Sequence, residues 1–138
     1  CQNRIDGVSI MPRKLIFPDE NSKPSGFSPG VISDNVLFIS GQVPVTAEGD
    51  IVGVGSCLEQ ARQCFSNIEQ IIISAGASMD DLTKITAFLV NSDDYPDYAK
   101  VRLELFPDGG PASSTVFISG LVRPEFLIEI EAFAVIGD

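Results

Sequence analysis

Followed as alternating apolar and polar positions, the chain resolves into short strands arranged around one long helix. The sharpest pattern runs from Phe126 to Val135. Phe126, Ile128, Ile130, Ala132 and Ala134 fall on one face of a strand, and Leu127, Glu129, Glu131, Phe133 and Val135 on the other. The first face suits a cover of helices. The second mixes two carboxylates with bulky apolar groups, which fits a surface covered by another subunit, with Glu129 or Glu131 held in the crevice.

The rest of the chain reads more conventionally. Leu15-Ile16-Phe17 predicts an edge strand, and the Pro-, Ser- and Gly-rich stretch Pro18–Pro29 a loop. Val31–Ser33 and Val36–Ser40 flank Asp34-Asn35, the signature of a hairpin with a tight turn. Pro44 ends the second of these strands because it has no N–H to donate. Leu58, Ala61, Phe65, Ile68, Ile72 and Ala75 recur at helical spacing from about Ser56, and Gly76 closes that helix as a left-handed cap. A strand over Leu82–Val90 follows. A second helix is expected from Ser92 or Asp93, with a capping side chain and Pro96 in its first turn, to about Phe106. Strands over Ser114–Ser119 and Phe126–Val135 complete the set. The order strand–strand–helix–strand–helix–strand–strand predicts an α+β fold with a mixed sheet and both helices on one face. Its other face, left semi-apolar, predicts self-association.

Composition narrows the chemistry. The chain has 138 residues, one domain's worth, and is 44% apolar. No apolar run reaches the ~20 residues that span a bilayer. A net charge of −10 repels phosphate backbones and anionic membranes, so neither nucleic acid nor membrane is an expected partner. There is no histidine, which removes the commonest general base and the commonest transition-metal ligand. Cys57 and Cys64 lie two helical turns apart, about 10 Å along the axis and too far for a disulfide. They read as small buried hydrophobes in a reducing cytoplasm. Met11-Pro12 looks like a natural start, so residues 1–10 are expected to be an expression leader and 11–138 the single domain.

Five stretches resemble the RidA (YjgF) family of reactive-intermediate deaminases: Ser40-Gly41-Gln42-Val43-Pro44, Gln60–Gln63 with Asn67-Ile68, Lys84-Ile85-Thr86, Phe106-Pro107-Asp108 and Ile128-Glu129-Ile130-Glu131-Ala132. The similarity covers Phe27 to Val135 in order. It implies a chorismate-mutase-like two-layer sandwich that assembles as a homotrimer around a central barrel, with three clefts between subunits. It also implies hydrolysis of enamine and imine intermediates of amino-acid chemistry, with neither metal nor organic cofactor. The family's glutamate corresponds to Glu129. Its usual tyrosine falls at Phe27, its carboxylate-clamping arginine at Ser113 and its frequent cysteine at Thr115. A helix asparagine falls at Ala99 or Lys100. A serine hydroxyl does not match a bidentate guanidinium clamp, so the resemblance implies a divergent member with a different substrate.

Glu129 is the candidate catalytic carboxylate, able to take a proton from water if burial lifts its pKa. Glu131, on the same face, either tunes Glu129 or pairs with a neighbouring subunit's cation. Candidate substrate-binding residues are Phe27, Ser40, Gly41, Ser113, Ser114, Thr115 and Arg123. Each also has a structural reading: Phe27 packs the loop, Gly41 is a bulge glycine, the hydroxyls start a strand, and Arg123 flanks one in solvent. Lys84 and Arg62 are read as solvated or intersubunit pairs. Two functions stay open, a hydrolytic deaminase for a small unsaturated metabolite and a non-catalytic trimeric small-molecule-binding protein. Ribonuclease action is disfavoured by the acidic charge and the missing histidine.

Overall fold

The structure, a computed structural model, describes residues 12–137 fully, together with the backbone of two short strands ahead of them. Those strands, β1 (Asn3–Ile5) and β2 (Val8–Ile10), pair with each other as a separate antiparallel ribbon. The leader expected over residues 1–10 concerns a stretch whose side chains lie outside the described residues.

The six-stranded sheet grows from local signals. Asp34 sits at φ 53°, a left-handed conformation that Asp tolerates, and closes the turn between β4 (Gly30–Ser33) and β5 (Val36–Gln42). β3 (Lys14–Ile16) adds to β4 at the edge. β6 (Leu82–Leu89) and β7 (Ala112–Phe117) run parallel, and β8 (Ile128–Val135) inserts antiparallel between β5 and β6. The order across the mixed sheet is β3-β4-β5-β8-β6-β7, so the strand latest in the chain lies inside the sheet.

Helix α1 (Cys57–Ser74) is capped as its sequence signals. Ser56 Oγ accepts from the Glu59 N–H at 3.3 Å. At the far end Gly76 takes φ 79°, Ala77 N–H donates to Ile72 C=O, and Gly76 N–H to Ile73 C=O. Its apolar stripe meets the alternate residues of the sheet, and Ile68, Ile72, Leu37, Ile85, Leu89, Ile128 and Ile130 are all buried there. Each such side chain contributes about 1.5–3 kcal/mol relative to exposure. Helix α2 (Tyr95–Leu105) joins the same core through Tyr98 and Val101, with Tyr98 stacked on Phe65.

Several boundaries differ from expectation. Ser92–Asp94 forms a 3-10 turn, and α2 starts only at Tyr95. No side chain caps it, because the backbone bonds of that turn, Asp94 N–H to Asn91 C=O and Tyr95 N–H to Ser92 C=O, already use the leading amides. β7 lies two residues earlier than its sequence pattern indicates, in register with Lys84–Leu89 of β6. β8 starts at Ile128 rather than Phe126, since the Leu127 N–H donates to the Gln60 side chain instead of to a neighbouring strand. No helix among the described residues is long and apolar enough to cross a membrane.

Candidate functional site

The helices cover one face of the sheet. On the other, β8 presents Glu129, Glu131, Phe133 and Val135, with Phe88 opposite Glu129, Thr86 opposite Glu131 and Phe38 opposite Phe133. The Phe38 and Phe133 rings meet edge to face at 5.4 Å and are 44% and 40% exposed. A sheet face carrying open aromatic pairs beside carboxylates matches the mixed pattern of the sequence.

Glu129 occupies a special position on that face. The register between β5 and β8 slips between Ile39 and Gln42, and Gly41 lies within the slip. A Cβ on Gly41 would stand 2.7 Å from Glu129 Oε2, so the carboxylate rests on bare backbone that only glycine leaves open. Glu129 is half-buried, and its pKa is raised, first by burial and then by the charge of Glu131. Among the described residues no cation forms an ion pair with it.

Beside this corner the 18–29 loop, the end of β5 and α1 enclose a groove of about 470 Å3, lined in part by Phe27, Gly41, Gln42 and Asn67. Phe27 is 59% exposed at its wall. Ser40 holds the loop in place: its hydroxyl donates to Ser28 C=O at 2.6 Å and its N–H to Pro29 C=O at 2.9 Å. Asn67 anchors the opposite wall, donating to Val43 C=O at 3.1 Å and Val45 C=O at 2.9 Å. A smaller cleft of about 260 Å3 between the helices has the Arg62–Glu104 pair on its wall and none of the candidate groups.

The remaining candidates are dispersed. Ser113 and Thr115 pair in register with buried Ile85 and Ala87, and so face the helix side, whereas Ser114 faces the open side and accepts from Lys84 Nζ at 2.6 Å. Ser113 Oγ accepts from Arg102 Nη1 at 3.4 Å. Arg123 lies 3.5 Å from Glu125 and makes no bond to Glu129. Phe27 and Gly41 therefore share the groove, Ser40 braces its loop and Glu129 rests on Gly41, while the β7 hydroxyls and Arg123 lie elsewhere on the same chain.

Two residues escaped the sequence reading as site builders. Gln60 is fully buried. Its amide donates to Glu125 C=O at 2.9 Å and Gly53 C=O at 3.3 Å, and its carbonyl accepts from Leu127 N–H at 2.7 Å. It thereby fixes the approach to β8. The available signal was a glutamine next to core residue Ala61, on the apolar stripe of the helix. The second is Arg102, whose neighbours only the fold brings together. Cys57 and Cys64 are buried as expected. Burial foremost, then Asp94 and Asp97, pushes the Cys57 thiol up to about 12. Burial, then Glu129, raises Cys64, so neither thiol is a nucleophile near neutrality.

Comparison with known proteins agrees with this architecture. The family model described as endoribonuclease L-PSP matches residues 20–136. The chain is 36% identical over 125 residues to the 3-aminoacrylate deaminase RutC of Acinetobacter baylyi, covering 90% of this chain and 98% of that one. Its fold superposes on the YjgF gene product of E. coli with a TM-score of 0.79 at 31% identity, covering 88% of this chain and 98% of that one. YyfA of Yersinia pestis, a protein of unknown function of the conserved Rid family, gives 0.82 at 29% identity, over 91% and 100% of the two chains. With the sheet order, the two helices and the matched span all in agreement, the chain belongs to the YjgF/RidA family, the group described as endoribonuclease L-PSP.

Proposed function

We propose that this chain is a hydrolytic deaminase of small enamines or imines that carry a carboxylate, working in the cytoplasm at clefts between the copies of a homotrimer. The observation behind the reading is the Glu129 carboxylate, seated on Gly41 with a raised pKa and no cation answering it among the described residues. A paired carboxylate would be a weak base locked in its charged form. An unpaired, half-desolvated one holds its proton above the ordinary carboxylate range and can accept and return it more readily. The likeness to RutC, whose name specifies 3-aminoacrylate, supports an enamine acid as the substrate class. The open aromatic face supports association, since monomers rarely leave such patches uncovered.

The chemistry needs only protons and water. Protonation of the enamine carbon gives the iminium ion, the protonated form of the imine. A water oriented by Glu129 forms a C–O bond to the imine carbon as its proton passes to the carboxylate, and the C=N electron pair moves to nitrogen. Nitrogen takes up a proton, the C–N bond breaks, and ammonia leaves as the hydroxyl loses its proton and becomes the carbonyl. Nothing is oxidised or reduced. In this reading Phe27 stacks on the planar substrate from the groove wall, and Ser40 and Gly41 shape the floor. Ser113, Ser114, Thr115 and Arg123 contribute from a neighbouring copy. RNA is not the proposed substrate despite the name of the family model, because a net charge of −10 opposes a phosphate backbone.

Generating 3-aminoacrylate enzymatically and following ammonia release tests the proposal. The wild type should accelerate release, and Glu129→Gln should lower the rate by about hundredfold or more. A wild type no faster than buffer would favour the non-catalytic binding protein instead.

A further inference from the structure

Arg102 stands out among the described arginines. Arg62 pairs with Glu104 and Arg123 with Glu125, but Arg102, like Arg13, has no carboxylate within 4.0 Å among the described residues. Its setting is nevertheless built. The guanidinium lies 5.1 Å from the centre of the Tyr98 ring and 5.8 Å from that of Tyr95. Nη2 donates to Tyr95 Oη at 3.1 Å, and Nη1 reaches the exposed Ser113 Oγ at 3.4 Å. Tyr98 Oη, fully buried, has no hydrogen-bond partner of good geometry. Stacking on tyrosine at a partly exposed site contributes less than the side-chain freedom that a fixed arginine gives up. The aromatic cradle thus aims the fork of N–H groups more than it stabilises the fold. What it presents at the β7 edge is a planar donor array beside a hydroxyl, the pattern that grips a carboxylate.

Position decides which active site this array can serve. Within one chain, Glu129 lies on the open face of β8, and Ser113 on the helix side of β7, with β6 between the two strands. A molecule of a few heavy atoms cannot touch both through the sheet. β7, however, is one of the two edge strands of the sheet, and its Val116 and Phe117 are exposed. An uncovered strand edge with apolar side chains is a surface that a second copy closes. Resting on the deaminase reading above, we propose that Arg102, supported by Ser113 and Tyr95, grips the substrate carboxylate for the Glu129 of a neighbouring copy.

Two experiments test this, arranged so that failure of the deaminase reading and failure of the grip give different results. In the first, Arg102→Gln and Glu129→Gln are each assayed with 3-aminoacrylate and then co-expressed at equal levels. Each variant alone should lose about hundredfold in kcat/KM, and the mixture should regain about a quarter of the wild-type activity, the fraction of clefts that receive both intact groups. Wild-type kcat/KM in Arg102→Gln, or no recovery in the mixture, overturns the proposal.

The second experiment needs no turnover. Acrylate and its neutral isostere acrylamide are titrated by NMR against the full chain. Wild type and Glu129→Gln should bind acrylate at least about tenfold better than acrylamide, and Arg102→Gln should lose that preference. Ser113→Asp, which keeps Arg102 but answers its charge from within the chain, should lose it too, and thermal unfolding checks that both variants are folded. A carboxylate preference that depends on Arg102, in a wild type that releases no ammonia, keeps the grip and discards the deaminase. Equal acrylate binding by wild type and Arg102→Gln, or none by the wild type, discards the grip.

Discussion

The Gly41–Glu129 corner is built from the interior of the sheet, and the Arg102–Ser113 array from its rim. At the corner, chemistry and fold share atoms: Glu129 rests on a bulge, and its strand alternates core residues with site residues. At the rim, Ser113 is exposed, and Arg102 leans on tyrosines of its own helix. The interior can supply a desolvated carboxylate because the core behind it fixes the strand. The rim can supply an accessible cation because none of the described residues closes over it. The proposed site, which needs both, would draw them from different chains.

Substitutions should separate the two regions. The largest effect is expected from Ile130→Ala, directly behind the carboxylates, which should destabilise the protein by about 2–5 kcal/mol in chemical denaturation, through lost transfer energy and the cavity left behind. Gly41→Ala should come next. Its methyl would meet the Glu129 carboxylate, and a displacement of about 1 Å should lower kcat/KM by about hundredfold with only a modest change in Tm. At the rim, Ser113→Ala should leave stability within about 0.5 kcal/mol, measured by urea unfolding. A rim substitution as costly as Ile130→Ala would erase the distinction.

The smallest effect concerns pH. Glu129 must be ionised to take a proton, so the rate should rise across an acidic limb that lies above the ordinary carboxylate range. Glu131→Gln removes the second cause of the raised pKa and should move that limb to lower pH in a pH–rate profile. Stability has the opposite sign. A carboxyl raised by folding holds its proton more tightly in the folded state, so stability is lost as pH rises from the unfolded value through the raised one. Glu129→Gln should flatten that loss in urea titrations at successive pH values.

Local patterns were legible wherever period or punctuation carried them. The two faces of β8 follow from strict alternation, the β4–β5 turn from Asp34-Asn35, and the ends of α1 from Ser56 and Gly76. Gly41 was recognisable as a bulge residue, but its contact with Glu129 depends on β8 lying beside β5, which no local pattern encodes. Arg102 was missed for the same kind of reason. Only the parallel pairing of β6 and β7 carries Ser113 to the arginine, and α2 has a weak apolar stripe to orient it. A family motif drew attention to position 113, and a cation near the cleft-forming strands to position 123. The geometry instead places a cation beside position 113 from a helix, and pairs Arg123 with Glu125.

Because Ile128–Val135 is made after every other strand and yet lies between two of them, β5 and β6 must each wait, one edge bare, until the last sheet element leaves the ribosome. From the completion of β6 until β8 emerges, the nascent protein thus carries two unzipped halves, a window in which a holding chaperone matters more than it does for the finished molecule.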